Sequence, residues 1–499
     1  MTTVSAPHRL WRNTRYLTWL VSDTSKGLAA SLFGFAIPLL ALIVTNDPAQ
    51  AGIIGGAGMV ARLLTTLAGG ILADRHPRIL LMLIGSLIGV LLSGSFVLLA
   101  VADALTFGTL LVIDVLLAAR TGLFDVAGES AIKEIVPAEA MGRAQAANQG
   151  RDAALQLAGG PLGGLLLGVG GWLVGVAMTV CHLIAAVTAW MLGREMRRAG
   201  IEDMGADADP ALLIADTAPD RPATGVEHAD PDSARTARTD DVETVGRTVS
   251  GAHSTAAEEI VQTTPREASV SSRSAPSISA PPPSEPRPNA WAEIREGFGW
   301  LLSRPDLSGV LFITTIINLG FNAAITTVVY GLQQSGHSAV LIGTLSAALG
   351  AVMLVGAVVA PLLIPRIGAG KLAILSLACT TAGAAAVSAI TEPWPIAAVL
   401  AASVFLLPSL NAALLGYFMV ATPTRLLGRA NSAAGVMSMG ALPLAPLIAG
   451  FGLTWIGREW TILVCAALCL LSVGLALGNR SLRALPVESG WAEHAKRYE

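Results

Sequence analysis

The chain has 499 residues, of which 53% are hydrophobic and 13% charged, with a mean hydropathy of +0.62. Water-soluble domains carry about 25% charged residues, so this composition excludes a soluble globular enzyme. The formal charge of −3 conceals a split: residues 201–290 hold 16 acids and 7 arginines, which leaves the rest of the chain net positive.

Apolar runs recur along most of the sequence, each long enough to cross a hydrocarbon layer of about 30 Å as a helix. Twelve such spans are expected, at 16–45, 51–73, 79–101, 106–127, 147–169, 172–192, 307–330, 339–364, 371–390, 395–420, 431–455 and 461–478. Segments of about 10 residues with alternating polarity, which mark an outer-membrane barrel, are absent. Span one carries Asp23 and Lys26, span two Arg62, and span four Asp114, Arg120 and Asp125. Arg151 and Asp152 enter span five, and His182 lies in span six, where it reads as a packing histidine. The six later spans hold no charged residue apart from Lys371 at the first position of its span. Cys181, Cys379, Cys465 and Cys469 all fall inside apolar runs without metal-type spacing, so they read as small core residues, and no disulfide, metal or other cofactor is indicated.

Basic residues fix the expected topology, since cytoplasmic loops collect Lys and Arg. Twenty lie on the side that holds both termini, against Arg458 alone on the other. Both termini are therefore expected in the cytoplasm, with the protein multi-pass in the inner (plasma) membrane. Residues 201–290 are rich in Ala, Ser, Thr, Pro, Asp and Glu, which cannot bury enough apolar surface to offset ordering entropy. The expected organisation is an N-terminal six-helix bundle at 1–195, a disordered cytoplasmic linker at 196–290, a C-terminal six-helix bundle at 291–480 and a tail at 481–499. A short helix at 290–303, apolar on one face, is expected to lie along the membrane surface.

The two halves repeat one pattern. Val136-Pro137 leads to Gly142-Arg143-Ala144 and then Gly160-Pro161, and Thr422-Pro423 leads at the same initial spacing to Gly428-Arg429-Ala430 and then Pro446. Both blocks run from a cytoplasmic loop into the second-to-last helix of their half, so the repeats are parallel. The fold class expected is an all-α membrane protein with twelve transmembrane helices in two parallel six-helix repeats around a midplane cavity.

Several motifs resemble those of the major facilitator superfamily, and within it the bacterial drug and siderophore exporter branch, whose members include drug:H⁺ antiporters. After span two, Gly70-Ile71-Leu72-Ala73-Asp74-Arg75-His76-Pro77-Arg78 is similar to the superfamily's gating loop, departing at Pro77, where glycine is usual. The equivalent loop after span eight, Pro361 to Lys371, keeps basic residues but has no acid. Arg120-Thr121-Gly122 resembles an element of proton-coupled members, and Gly160-Pro161-Leu162-Gly163-Gly164 resembles the exporter motif of span five. The resemblance implies that Gly70, Asp74, Arg75 and Arg78 gate the cytoplasmic side. It also implies that the face of Gly160, Pro161, Gly163 and Gly164 seals the cavity. As plain physics, the same glycines permit close helix approach, and Pro161 loosens its helix.

Ionisable groups at membrane depth are costly and normally mark function. At 1.5 Å per residue, Asp23 and Arg120 each lie about 10 Å from the cytoplasmic end of their span, and Arg62 about 16 Å. Asp23, Arg62, Asp114 and Arg120 are therefore expected to form one mutually neutralising network that couples transport to protons, with Asp23 the first-choice carrier and Asp114 the second. A permanent salt-bridge cluster that only holds the first half together is the competing expectation. In the second half Asn318, Asn322 and Asn411, set among Phe and Met residues, are the expected substrate-cavity groups, a mixture that suits an amphiphilic small molecule better than a sugar. The leading expectation is proton-coupled export of a drug-like or siderophore-like compound by a monomer embedded in lipid, with no role for nucleic acid. A metabolite importer, a lipid flippase and a non-transporting membrane sensor or assembly protein stay open. An enzyme is not expected, since no nucleophile–base pairing or phosphate loop is present.

Overall fold

The structure, a computed structural model, describes residues 12–136, 138–206, 290–423 and 426–496. The chain divides into two units, 1–205 with 288–499, and 206–287. The expected linker falls almost wholly in the second unit, and residues 207–289 lie outside the described residues.

The first half forms six helices: α1 (Thr14–Thr45), α2 (Pro48–Arg75), α3 (Arg78–Val101), α4 (Phe107–Ile135), α5 (Ala138–Val169) and α6 (Gly171–Ala206). Their boundaries follow from local chemistry. Asn13 accepts the Tyr16 N–H to cap α1, and Asp47 accepts the Ala49 N–H ahead of Pro48 to start α2. Thr106 and Thr109 form a reciprocal capping box at α4. Between α1 and α2 the chain turns on Asn46, in the left-handed region at φ 49°, a conformation asparagine tolerates well.

After α7 (Ala290–Ser303), the second half repeats the arrangement with α8 (Pro305–Gln334), α9 (Ala339–Leu363), α10 (Ala369–Ser388), α11 (Pro393–Val404) with α12 (Leu407–Ala421), α13 (Leu427–Gly440) with α14 (Leu444–Trp455), and α15 (Gly457–Gly478). Two of the expected continuous spans are broken. Pro408 cannot donate to the carbonyl one turn back, which separates α11 from α12, and Pro443 does the same between α13 and α14. Among the described residues eleven segments are long and apolar enough to cross a bilayer. The twelfth, α4, has 29 residues and stands outside that set, with Asp114, Arg120 and Asp125 along it. No strand occurs among the described residues.

The helix at 290–303 forms where expected, but its Gly297 packs on the Arg429 backbone and its Glu296 pairs with Arg429 of α13. Leu301 at its end is fully buried. The tail is also structured: α16 (Arg480–Arg483) and α17 (Trp491–Ala495) flank a strap that returns to the bundle. The Ala369 N–H donates to the Pro486 carbonyl at 3.0 Å, and Trp491 packs on Gly416 of α12.

The halves meet along two seams at one end of the bundle, the end that holds the α1–α2 turn. In one seam α2 lies against α14: a side chain at Gly52 would collide with the Pro446 carbonyl, and the Gly450 position lies 3.1 Å from the Gly52 Cα. In the other, α5 lies against α9, where a Cβ on Gly164 would come 2.5 Å from the Ala339 carbonyl oxygen and one on Gly343 would strike the Gly160 carbonyl. Gly52 and Gly343 each stand four residues into their helix, so the two seams are built alike.

Candidate functional site

The ionisable groups of the first bundle sort into separate arrangements, and the single network expected from the sequence is not formed. Asp23 of α1 bridges two cations: Lys26 Nζ, one turn on, at 3.1 Å, and Arg151 Nη2 of α5 at 2.8 Å. Arg151 also contacts Asp152 at 2.8 Å and lies 5.7 Å over the Trp19 ring, whose indole N–H donates to the Gly128 carbonyl at 3.0 Å. Gly128 leaves room for the cluster, since a Cβ there would sit 2.5 Å from Lys26 Nζ. Asp23 and Arg120 thus do not pair, and Arg151, entering from α5, takes the place expected for Arg120.

Arg120 is buried between α3 and α4. Its Nε donates to the Gly85 carbonyl at 2.9 Å and its Nη2 meets Asp125 at 3.2 Å, one turn and a residue away on its own helix. Arg62 is exposed and makes no ion pair among the described residues; on the helical wheel of α2 it lies between the face toward α4 and the face toward α14.

Asp114 stands apart from all of these. It is 4% exposed, and its Oδ2 finds no hydrogen-bond partner among the described residues. The carboxyl occupies the space over Gly58 of α2, where a Cβ would lie 2.9 Å from its Cγ. One turn earlier on α2, the Tyr330 hydroxyl of the second bundle comes 4.0 Å from the Gly55 Cβ position, and it too is buried without a partner among the described residues. An acid from one half and a phenol from the other therefore lie along one stretch of α2, at the seam.

Of the expected gating residues, the Asp74 side chain lies outside the described set, and Arg75 is exposed. Arg78 donates to the Ser130 carbonyl at 3.2 Å and pairs with Glu134 at 3.0 Å, which ties α3 to the end of α4. Gly70 faces open space, whereas its neighbour Gly69 touches the Gly122 backbone. Gly160 and Gly164 lie in the seam with α9, Pro161 Cα is 3.3 Å from the Gly343 Cβ position, and the Gly163 position packs on Phe35 of α1 at 2.7 Å. Asn318, Asn322 and Asn411 are all exposed, with the Asn322 amide donating to the Asn318 carbonyl at 2.8 Å. His182 is buried against Gly89 of α3, as a packing histidine would be, yet its Nδ1 has no partner among the described residues.

Sequence reasoning under-weighted Lys26 and Arg151, although Lys26 announces itself by its i,i+3 spacing from Asp23. Tyr330 reads in the sequence as one of the aromatic residues around the second-half amides, and nothing there signals that its hydroxyl lies near Asp114.

The solved structures that this chain resembles include the nucleoside transporter NupG in a mutant form, at 11% identity with a TM-score of 0.57, covering 93% of this chain and 100% of that one. A bacterial homologue of the iron transporter ferroportin, in an inward-facing state, matches at 13% identity and a TM-score of 0.57, covering 93% and 97%. At such identities the likeness shows a shared fold. No curated protein sequence matches the chain. The sequence profile of the Major Facilitator Superfamily matches residues 24–444. With its helical repeats and that match over most of its length, the chain belongs to the Major Facilitator Superfamily and is a multi-pass membrane transporter rather than an enzyme.

Proposed function

We propose that the protein is a proton-coupled exporter of amphiphilic small molecules that works by alternating access, with Asp114 as its proton carrier. The observation that carries this reading is the buried Asp114 carboxyl whose Oδ2 lacks a partner, placed at the end where the halves touch. A lone carboxylate in such surroundings costs several kcal/mol, and a bound proton removes the cost. Opening of the seam admits water to the carboxyl and lets it ionise, so its proton is tied to which end of the transporter is open. Asp23, held between Lys26 and Arg151, is already neutralised by protein groups and serves as a structural bridge.

Basic-residue placement puts the termini in the cytoplasm, so the touching seams face the outside and this conformation opens inward. Export is supported by the resemblance of Gly160-Pro161-Leu162-Gly163-Gly164 to the exporter motif and by the close fit of that segment on α9. An amphiphilic cargo fits the exposed amides Asn318, Asn322 and Asn411 in a half whose buried charges, Arg304 and Asp306, are paired with each other at the end of α8.

The test is efflux of ethidium from proteoliposomes with an imposed pH gradient. Ethidium movement that collapses on adding a protonophore, and that Asp114→Asn abolishes in protein that still folds, is the expected result. Movement indifferent to the gradient removes the proton coupling and favours the importer or flippase reading.

A further inference from the structure

At the end of the second bundle that holds α16, a cavity of about 490 Å³ opens between the α9–α10 turn and the tail strap. Three cations line it, Arg366, Lys371 and Arg483, with the strap at 485–487 as the opposite wall and no acid in the lining. Glu488, one residue further on, is exposed and outside the lining. None of the three cations makes an ion pair among the described residues; Arg366 reaches only the Leu362 carbonyl, at 3.5 Å. The strap is a fixed wall. Pro486 accepts from the Ala369 N–H at 3.0 Å and from the Trp491 indole at 3.2 Å, and His494 at the end of the tail hydrogen-bonds Tyr417 at 2.9 Å. Tyr417 in turn donates to Asp306 at 2.7 Å.

The surface that leads to the cavity is apolar in register with the cations. On α9, Val358 and Leu362 are 71% and 56% exposed, and Arg366, in the turn just past the helix, reaches back to the Leu362 carbonyl. On α10, Leu375 is 48% exposed one turn from Lys371. Each stripe would run along acyl chains and end in a cation at the membrane boundary, where basic pockets hold anionic headgroups.

We propose that this cradle binds the phosphodiester headgroup of an anionic phospholipid, whose chains lie along Val358, Leu362 and Leu375. Phosphate chemistry alone also fits a soluble phosphate; the exposed stripes favour the lipid. A volume of this size lies within the range of small-molecule sites. The site is independent of the transport reading above.

The test retains lipid on the purified full chain from micelles that contain equal phosphatidylglycerol and phosphatidylcholine, read by native mass spectrometry. Phosphatidylglycerol is expected to be preferred. Each of Arg366→Gln, Lys371→Gln and Arg483→Gln should lower its retention about fivefold, and the triple variant by on the order of a hundredfold. Arg366→Lys with Arg483→Lys should keep it, which separates charge from misfolding. Equal phosphatidylglycerol on the wild-type and triple-Gln proteins overturns the proposal. So does its displacement by 10 mM inorganic phosphate, which would assign the cradle to a soluble anion. Retention that appears only after deletion of residues 210–285 would assign it to the chain's own acidic segment and overturn it as well.

Discussion

Asp23 ranks ahead of Asp114 as a proton carrier in the sequence, two acids in spans of the same bundle, and the structure gives them opposite circumstances. Asp23 has two cations within 3.1 Å; Asp114 has none, and its Oδ2 is without a hydrogen bond among the described residues. Removing one member of a buried ion pair leaves the others uncompensated, so Asp23→Asn should lower stability by about 3 kcal/mol, because Lys26 and Arg151 lose their anion. Asp114→Asn removes no pair and should leave stability unchanged or higher. Thermal unfolding of the two variants in the same detergent checks this contrast, and a large loss for Asp114→Asn would show that its carboxyl has a partner after all. That the first bundle holds buried charge was legible from the residues themselves. Which charge meets which was not, because pairing depends on the rotation of each helix about its axis, and a 3.6-residue period fixes a face only once a neighbour is known.

At the scale of the helices, close approach is made by glycine. Where α5 crosses α9 and α2 crosses α14, backbone meets backbone, and a single methyl has nowhere to go. Gly343→Ala should therefore prevent closure of that end, because its Cβ strikes the Gly160 carbonyl and a backbone atom cannot swing aside as a side chain does. Spin labels on Ala102→Cys and Glu392→Cys, exposed positions on the two halves at that end, should report a longer distance in the Gly343→Ala protein. An unchanged distance distribution would show that the seam absorbs the methyl by sliding. The sequence repeat that relates Pro161 to Pro446 already pointed to this element, since both prolines lie in seams. The opposing glycines, Gly52 and Gly343, escaped notice because isolated glycines are frequent in membrane helices. The breaks at Pro408 and Pro443 were also missed, although a proline inside a span signals one.

For the whole molecule, the twelve spans and their division into two bundles were readable from apolar run length and from the spread of basic residues, which are imposed by the bilayer rather than by tertiary detail. The tail was not. Residues 480–495 are short and mixed in polarity, and their fold depends on the contacts of Trp491 with Gly416 and of His494 with Tyr417. Composition separates residues 201–290 from this framework, and deletion of 210–285 should leave ethidium efflux within about twofold of wild type by the vesicle assay; loss of transport would show that the acidic segment takes part in the cycle. The concentration of mid-helix charge in the first bundle has a last consequence. One half of the duplicated pattern carries charged side chains well inside its helices, and its twin carries them only at the ends of its spanning helices. Under the proton coupling by Asp114 proposed above, substitutions in the second bundle away from Tyr330 are expected to change the cargo taken and to leave the engine as it is.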